Sequence, residues 1–196
     1  MTGEATELRY RWAKVPMRYL CLLAGAALVV SAAASQANAQ PVRSETMHLV
    51  VAASVNDGTV VAGKRISLTF DITPKRSMHV YAPGKHDYQV IGISLDPQPW
   101  MKIQPTKYPP SEIHEFVELN EKVEVYSKPF TLVQDLVIPS TPEVRKQLAT
   151  ASSLTVTGLL NYQACDEKVC YAPAKVPVKF VLKVRPAVAA KPGAGG

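Results

Sequence analysis

The sequence predicts an all-β domain, built as a sandwich or a barrel. Apolar and polar residues alternate along residues 64–73, with Ile66, Leu68, Phe70 and Ile72 on one side, which is the pattern of a half-buried strand. Similar short runs recur along the chain, and proline-, glycine- or asparagine-containing breakers separate them. About eight short strands at this spacing are typical of a sandwich or barrel rather than a parallel α/β sheet.

The predicted elements follow one another from residue 47 to residue 184. The strands are expected at residues 47–55, 64–73, 78–82, 90–95, 123–126, 130–138, 154–162 and 176–184. One short helix is predicted after Ser140, because Ser140 and Glu143 have the spacing of a capping box and Pro142 lies near the start. This helix is expected to end near Ala149.

The first 39 residues have the features of a cleavable Sec-type signal peptide. A basic segment precedes an apolar stretch at residues 19–34, and Ala37 and Ala39 form a small-residue cleavage site. The apolar stretch is shorter than the roughly 20 residues that span a bilayer, although an uncleaved anchor is the alternative. Export would place the rest of the chain in the periplasm, where disulfides form and persist.

Three regions are therefore expected: a signal peptide at 1–39, one β domain at 40–186 and a flexible tail at 187–196. Loss of four basic and two acidic residues with the signal lowers the formal charge from +6 to +4. No basic stripe interleaved with aromatic residues is present, so nucleic-acid binding is not expected. Hydrolase, zinc and phosphate-loop motifs are also absent from the sequence.

Cys165 and Cys170 are the cysteines that remain once Cys21 leaves with the signal. They form a Cys-x4-Cys pair in the connection between the last two predicted strands. If their sulfurs are bonded, the chain must turn back, because bonded cysteines have Cα atoms about 4.4–6.8 Å apart. A bond that closes so small a loop restricts the unfolded chain little and stabilises the fold by only roughly 2 kcal/mol. The pair is therefore better suited to reversible thiol–disulfide exchange than to stabilising the fold. An inert structural disulfide is the alternative.

Several segments resemble the N-terminal periplasmic domain of the thiol:disulfide interchange protein DsbD. These segments are Tyr162-Gln-Ala-Cys165, Cys170-Tyr-Ala-Pro173, Met78-His-Val-Tyr81 and residues 124–132. The resemblance extends over roughly residues 45–185 and implies an immunoglobulin-like β-sandwich. It also implies that Cys165 and Cys170 are a redox pair, with Cys165 forming the mixed disulfide with partners.

The resemblance implies an electron shuttle that serves thioredoxin-fold proteins of the periplasm, including those of cytochrome c maturation. No membrane segments follow residue 186, so the reductant is expected to be a separate membrane protein. The protein is expected to act as a monomer, without a metal or another cofactor.

Five residues are expected to shield or support the cysteine pair: Tyr81, His79, Glu118, Leu119 and Tyr171. Leu119 stands where the family has an aromatic cap, and His79 replaces a second tyrosine. The cysteines are separated by four residues, whereas the best-known members of the family have five.

The residues next to Cys165 predict a weak nucleophile. Asp166 and Glu167 disfavour a thiolate, and Lys168 only partly offsets them. The disulfide form is therefore expected to act as the electrophile, which a thiolate of the partner attacks.

Two other functions compete with the redox function. One is a non-catalytic immunoglobulin-like adaptor that carries a structural disulfide. The other is a copper-binding module, since soft or borderline ligands are scattered along the chain. The candidate ligands, whose spacing matches no compact motif, are Met78, His79, His86, Met101, His114 and the two cysteines.

Overall fold

The computed structural model describes residues 42–117 and 120–185. Within these ranges the chain forms strands and one short helix, which confirms the predicted all-β class. The elements are β1 (Val42–Glu45), β2 (Leu49–Val55), β3 (Thr59–Val60), β4 (Arg65–Pro74), β5 (His79–Tyr81), β6 (Gly92–Leu95), β7 (Lys102–Ile103), β8 (Glu112–Phe116), β9 (Glu121–Tyr126), β10 (Phe130–Val137), α1 (Pro142–Thr150), β11 (Ser153–Tyr162), β12 (Ala164–Cys165) and β13 (Ala174–Val184). None of the helical residues in this part of the chain makes a helix of the length and apolarity that a membrane crossing requires.

The strands form three sheets, with the orders β1-β2-β4-β10-β7, β3-β13-β11-β6 and β12-β5-β9-β8. Neighbouring strands are antiparallel except for β3, which pairs with β13 in parallel. All eight predicted strands are present. The short strands β1, β3, β7 and β12 were not predicted, because two to four residues are too few to display a period. The strand β8 was missed because its sequence, Glu-Ile-His-Glu-Phe, has a single apolar residue on each face.

The sheets β1-β2-β4-β10-β7 and β3-β13-β11-β6 pack face to face in an immunoglobulin-like sandwich. The alternation predicted along β4 is confirmed, since Ile66, Leu68, Phe70 and Ile72 are all buried. The ring of Phe70 meets that of Phe180 on β13 edge to face, with ring centroids 5.8 Å apart. Burial of these side chains between the sheets supplies the main apolar driving force for folding.

The helix α1 begins one residue later than the sequence pattern indicates. Thr141, rather than Ser140, is the N-cap, and its side chain accepts a hydrogen bond from the backbone N–H of Val144 at 3.5 Å. Pro142 follows in the first turn, where its missing N–H costs no helical hydrogen bond. Val144 and Leu148 are buried on one face because residues four apart share a side of the helix.

A buried carboxylate joins β10 to β4 and to the segment before β8. Asp135 accepts hydrogen bonds from Ser67 Oγ at 2.6 Å and from Arg65 Nη1 at 3.0 Å. Lys107 Nζ lies 2.7 Å from its Oδ2 atom. The hydrogen bond from Lys107, followed by that from Ser67, lowers the pKa of Asp135. Its charge is therefore retained in the folded protein at neutral pH.

We expect Asp135→Asn to lower the free energy of unfolding by about 1–2 kcal/mol at neutral pH, because it weakens hydrogen bonds to a charged acceptor. The magnitude is small because Arg65 and Lys107 are solvated. Since the folded-state pKa is lowered, the contribution is complete above the unfolded-state pKa of about 3.9. It is lost as the pH falls through the folded-state pKa.

Denaturant unfolding of the wild-type and Asp135→Asn proteins at neutral pH and at about pH 2 measures this effect. The difference in stability between the two proteins should narrow at the lower pH. A difference of equal size at both pH values would contradict a role for the ionised carboxylate.

Candidate functional site

The two cysteines lie at the edge of the sheet β12-β5-β9-β8, in the connection between β11 and β13. Cys165 ends β12 and is bonded to Cys170, with their Cα atoms 4.1 Å apart. The chain therefore turns back between them, as a bond within so short a segment requires. The side chain of Cys165 is fully buried, whereas Cys170 is partly exposed. A partner that approaches from solvent meets Cys170 first.

Asp166 organises the turn between the cysteines. Its Oδ1 atom accepts hydrogen bonds from the backbone N–H groups of Lys168 and Val169, both at 2.8 Å. Its own N–H donates to the carbonyl of Val169 at 3.0 Å. Tyr171 donates its hydroxyl proton to Asp166 Oδ2 at 2.8 Å. These hydrogen bonds, of which that from Lys168 has the largest effect, lower the pKa of Asp166. The ionised carboxylate therefore stabilises the turn by accepting them.

Tyr81 places a hydroxyl group against both sulfur atoms. Its Oη atom lies 2.9 Å from the Sγ of Cys165 and 3.2 Å from the Sγ of Cys170. Sulfur atoms in a disulfide carry no proton, so the tyrosine is the donor. Burial is the main cause that raises the pKa of Tyr81. The hydroxyl therefore remains protonated, and it is available to stabilise negative charge on either sulfur.

The strand register explains why Tyr81 reaches the cysteines. Cys165 on β12 lies directly opposite His79 on β5. Tyr81 is two residues further along β5, and alternate residues of a strand point to the same face. Tyr81 and Cys165 also share a small apolar cluster with Phe116, Val123 and Val125, which shields the buried sulfur from water.

A second tyrosine supports the first. The ring of Tyr88 stacks on that of Tyr81, with centroids 4.2 Å apart and an angle of 4° between the planes. Its hydroxyl donates a hydrogen bond of 2.5 Å to Glu121 Oε2, and this bond is the main cause that raises the pKa of Tyr88. No sequence motif pointed to Tyr88 or Glu121. The only signal was an aromatic residue in an otherwise polar loop.

His79 contacts the disulfide loop through Glu167, within a cluster of polar and aromatic side chains. Its Nε2 atom is 2.8 Å from Oε1 of Glu167, which belongs to the turn between the cysteines. Its ring lies against that of His114, with centroids 3.9 Å apart and an angle of 32° between the planes, and Phe116 packs edge-on against both rings. The hydrogen bond with His79 is the main cause that lowers the pKa of Glu167.

Three of the five residues predicted to shield or support the cysteine pair lie at the disulfide loop. Tyr81 and His79 contact the disulfide loop (residues 165–170), and Tyr171 donates a hydrogen bond to Asp166. Glu118 and Leu119 lie outside the described residues, so the predicted cap stays a prediction.

The candidate copper ligands are not gathered into one site in the part of the chain that the structure describes. Met101 is buried in the main core, and the cysteines are bonded to each other. His79 and His114 do come together, with Glu167 as a third donor that was not predicted.

The chain has the fold of a periplasmic domain of known structure. Neither a family model nor a curated protein sequence matches it. It is similar to the N-terminal periplasmic domain of ScsB from Proteus mirabilis, with a TM-score of 0.52 and 13% sequence identity. The match covers 76% of this chain and 54% of that one, so the chain spans about half the length of that structure. This likeness supports the fold that the resemblance to DsbD implies.

A second similar structure is the GAE domain of GGA2p from Saccharomyces cerevisiae. Its TM-score is 0.37 and its sequence identity is 11%, over 72% of this chain and 97% of that one. A likeness of this size carries no argument about function.

We expect Tyr81→Phe to slow reduction of the Cys165–Cys170 disulfide by a small dithiol at least about tenfold. The substitution keeps the stacked ring but removes the hydrogen bond to the departing sulfur, and a hydrogen bond to a charged group is worth about 1.5–3 kcal/mol. Alkylation of free thiols during reduction measures the rate. Tyr88→Phe, which keeps the Tyr81 hydroxyl, is the matched control, and an unchanged rate in Tyr81→Phe would contradict the role of that hydroxyl.

Proposed function

We propose that the protein is a periplasmic thiol–disulfide exchange module that passes electrons through Cys165 and Cys170. The observation that carries this proposal is the buried hydroxyl of Tyr81 within hydrogen-bond distance of both sulfurs. A purely structural disulfide has no need of a proton donor held against it. The similarity of the fold to a periplasmic domain supports the proposed location.

The proposed reaction begins with the disulfide as the electrophile. A thiolate of the partner attacks the Sγ of Cys170, the Cys165–Cys170 bond breaks, and its electron pair leaves on the sulfur of Cys165. The hydrogen bond from Tyr81 stabilises this new thiolate. A second thiol of the partner then attacks the mixed disulfide and releases Cys170. The module gains two electrons and, after protonation of both sulfurs, two protons, while the partner's two thiols become a disulfide.

The reverse reaction would deliver the electrons to a second partner. The reduced pair attacks a disulfide of that partner, and the same two steps return Cys165 and Cys170 to the bonded form. The resemblance to DsbD suggests a separate membrane protein as the electron donor and thioredoxin-fold proteins as acceptors. Both are partners that meet the pair from solvent, which suits the partial exposure of Cys170.

The exposure of the two sulfurs favours Cys170 as the point of attachment for partners. The resemblance assigns this role to Cys165, but that side chain is 0% exposed. In-line attack requires access to the sulfur from outside the protein, so the buried cysteine is better placed as the leaving group. This division of roles also matches the shorter of the two distances from Tyr81, which is to Cys165.

The first test of the proposed function is the reduction potential of the cysteine pair. Equilibration of the exported protein in thiol redox buffers, followed by alkylation, should give a potential between roughly −180 and −270 mV, the range of thiol-exchange proteins. A potential below about −300 mV would mark a structural disulfide. The adaptor function would then replace the redox function.

A trapping experiment separates the roles of the two cysteines. We expect Cys165→Ala, which leaves Cys170 free, to accumulate mixed disulfides with periplasmic proteins, because no second cysteine remains to resolve them. Cys170→Ala should accumulate several-fold fewer, since its remaining thiol is buried. Non-reducing electrophoresis with mass spectrometry identifies the adducts. More adducts with Cys170→Ala would assign the attachment to Cys165, as the resemblance implies.

A further inference from the structure

We propose that His79, His114 and Glu167 form a binding site for a divalent transition-metal ion of the Zn²⁺ type, beside the closed disulfide. The site lies on the strands β5 and β8 and on the loop between the cysteines. Two imidazole rings and one carboxylate converge there, and their ligand atoms all lie within 4.8 Å of one another. The proposal does not depend on the redox function, because it concerns the oxidised protein alone.

The distances between the donor atoms suit a small metal ion. Zinc binds imidazole nitrogen at about 2.0–2.1 Å, so two ligands at the tetrahedral angle are about 3.3 Å apart. Glu167 Oε1 lies 2.8 Å from Nε2 of His79, and Oε2 lies 3.4 Å from Nε2 of His114. These contacts lie on either side of the required spacing. A modest rotation of the Glu167 side chain would therefore admit the ion.

The burial of the three side chains shows which of them can adjust. His79 and His114 are held by the contact between their rings and by the edge of Phe116. The carboxylate of Glu167 is the mobile partner, since its side chain is 59% exposed and lies in a loop. Two pre-positioned imidazole rings and one adjustable carboxylate would lower the cost of ordering the site when the ion binds.

The Nε2 atoms of His79 and His114, which lie next to Glu167, have no competing partner in the described part of the chain. Nε2 of His114 is buried and makes no hydrogen bond there. Nε2 of His79 contacts only Glu167, which is itself a proposed ligand. A buried polar atom without a partner costs free energy. Coordination of an ion would satisfy both nitrogens at once.

The donor set selects the class of ion. Imidazole with carboxylate suits Zn²⁺, Ni²⁺ or Cu²⁺, whereas Ca²⁺ and Mg²⁺ prefer oxygen ligands only, and Cu⁺ prefers sulfur. The sulfur atoms of Cys165 and Cys170 are bonded to each other, so they supply no thiolate in this form. Three protein ligands leave a fourth position for water, which is typical of an exchangeable site.

Zn²⁺ is the first ion to test, because it does not oxidise or reduce thiols. The full chain, exported and purified without a histidine tag, is oxidised and shown to contain no free thiol. Competition with a chromophoric chelator then measures the affinity for Zn²⁺, and we expect one equivalent to bind. His114→Ala and Glu167→Gln should each weaken binding on the order of tenfold to a hundredfold, since loss of even an outer-shell partner typically has this effect.

His86→Ala is the matched control. Nε2 of His86 lies 2.9 Å from the carbonyl oxygen of Ala82, and this histidine is not part of the cluster. Its replacement should leave the affinity for Zn²⁺ unchanged. If His114→Ala fails to fold, Glu167→Gln decides the question, because its exposed carboxamide keeps the shape of the native side chain.

Nitrogen-15 NMR of the imidazole rings provides a readout that a general loss of stability would not reproduce. One equivalent of Zn²⁺ should shift the ring nitrogens of His79 and His114 and leave those of His86 in place. The absence of saturable binding, an affinity that is equal in the wild-type, His114→Ala and Glu167→Gln proteins, or a shift confined to His86 would each overturn the proposal. None of these measurements requires thiol exchange, so they do not depend on the outcome of the redox tests.

Discussion

The pairing of the two-residue strand β12 with β5 is the constraint on which the whole site depends. It places Cys165 directly opposite His79, and therefore on the same face as Tyr81. A shift of this register by one residue would turn the sulfur to the other face of the sheet, away from the tyrosine hydroxyl. The larger sandwich has the corresponding role of holding the ends of β11 and β13, from which the cysteine loop emerges.

Burial gives the two cysteines unequal environments. Cys165 lies among apolar side chains below the sheet edge, where a thiolate would be poorly solvated unless a donor were provided. Tyr81 is that donor, and its own raised pKa keeps the proton on oxygen. Cys170, at the end of the turn, is partly exposed. The two sulfurs therefore differ in exposure and in surroundings, although only four residues separate the cysteines in the chain.

The alternation of apolar residues made most of the sandwich predictable. Strands such as β4 and β13 bury every second side chain through most of their length, so their period is visible in the sequence. The strand β12 could not be predicted in this way, because its two residues gain their conformation from pairing with β5. Ser140 and Thr141 are both residue types that cap helices, so residue type alone did not fix which of them is the N-cap of α1.

The site was predictable only in part for a similar reason. The resemblance identified Tyr171, which lies in the cysteine motif, and Tyr81, which lies in a separate segment and contacts both sulfurs in the structure. No local pattern identified Tyr88 or Glu121, nor the meeting of His114 with Glu167. These contacts join a loop, a hairpin and a turn that are distant in sequence. The pairing of strands in the sheet β12-β5-β9-β8 brings these residues together, and the spacing of residues along the chain does not predict that pairing.

The turn held by Asp166 accounts for the length of the cysteine loop. One carboxylate accepts from two successive backbone N–H groups, and the N–H and carbonyl of the same four-residue segment bond to each other across it. An additional residue would break this ring of hydrogen bonds and would move Glu167 away from His79. The turn therefore fits a spacing of four residues between the cysteines. A longer loop would need a different turn, held by different hydrogen bonds.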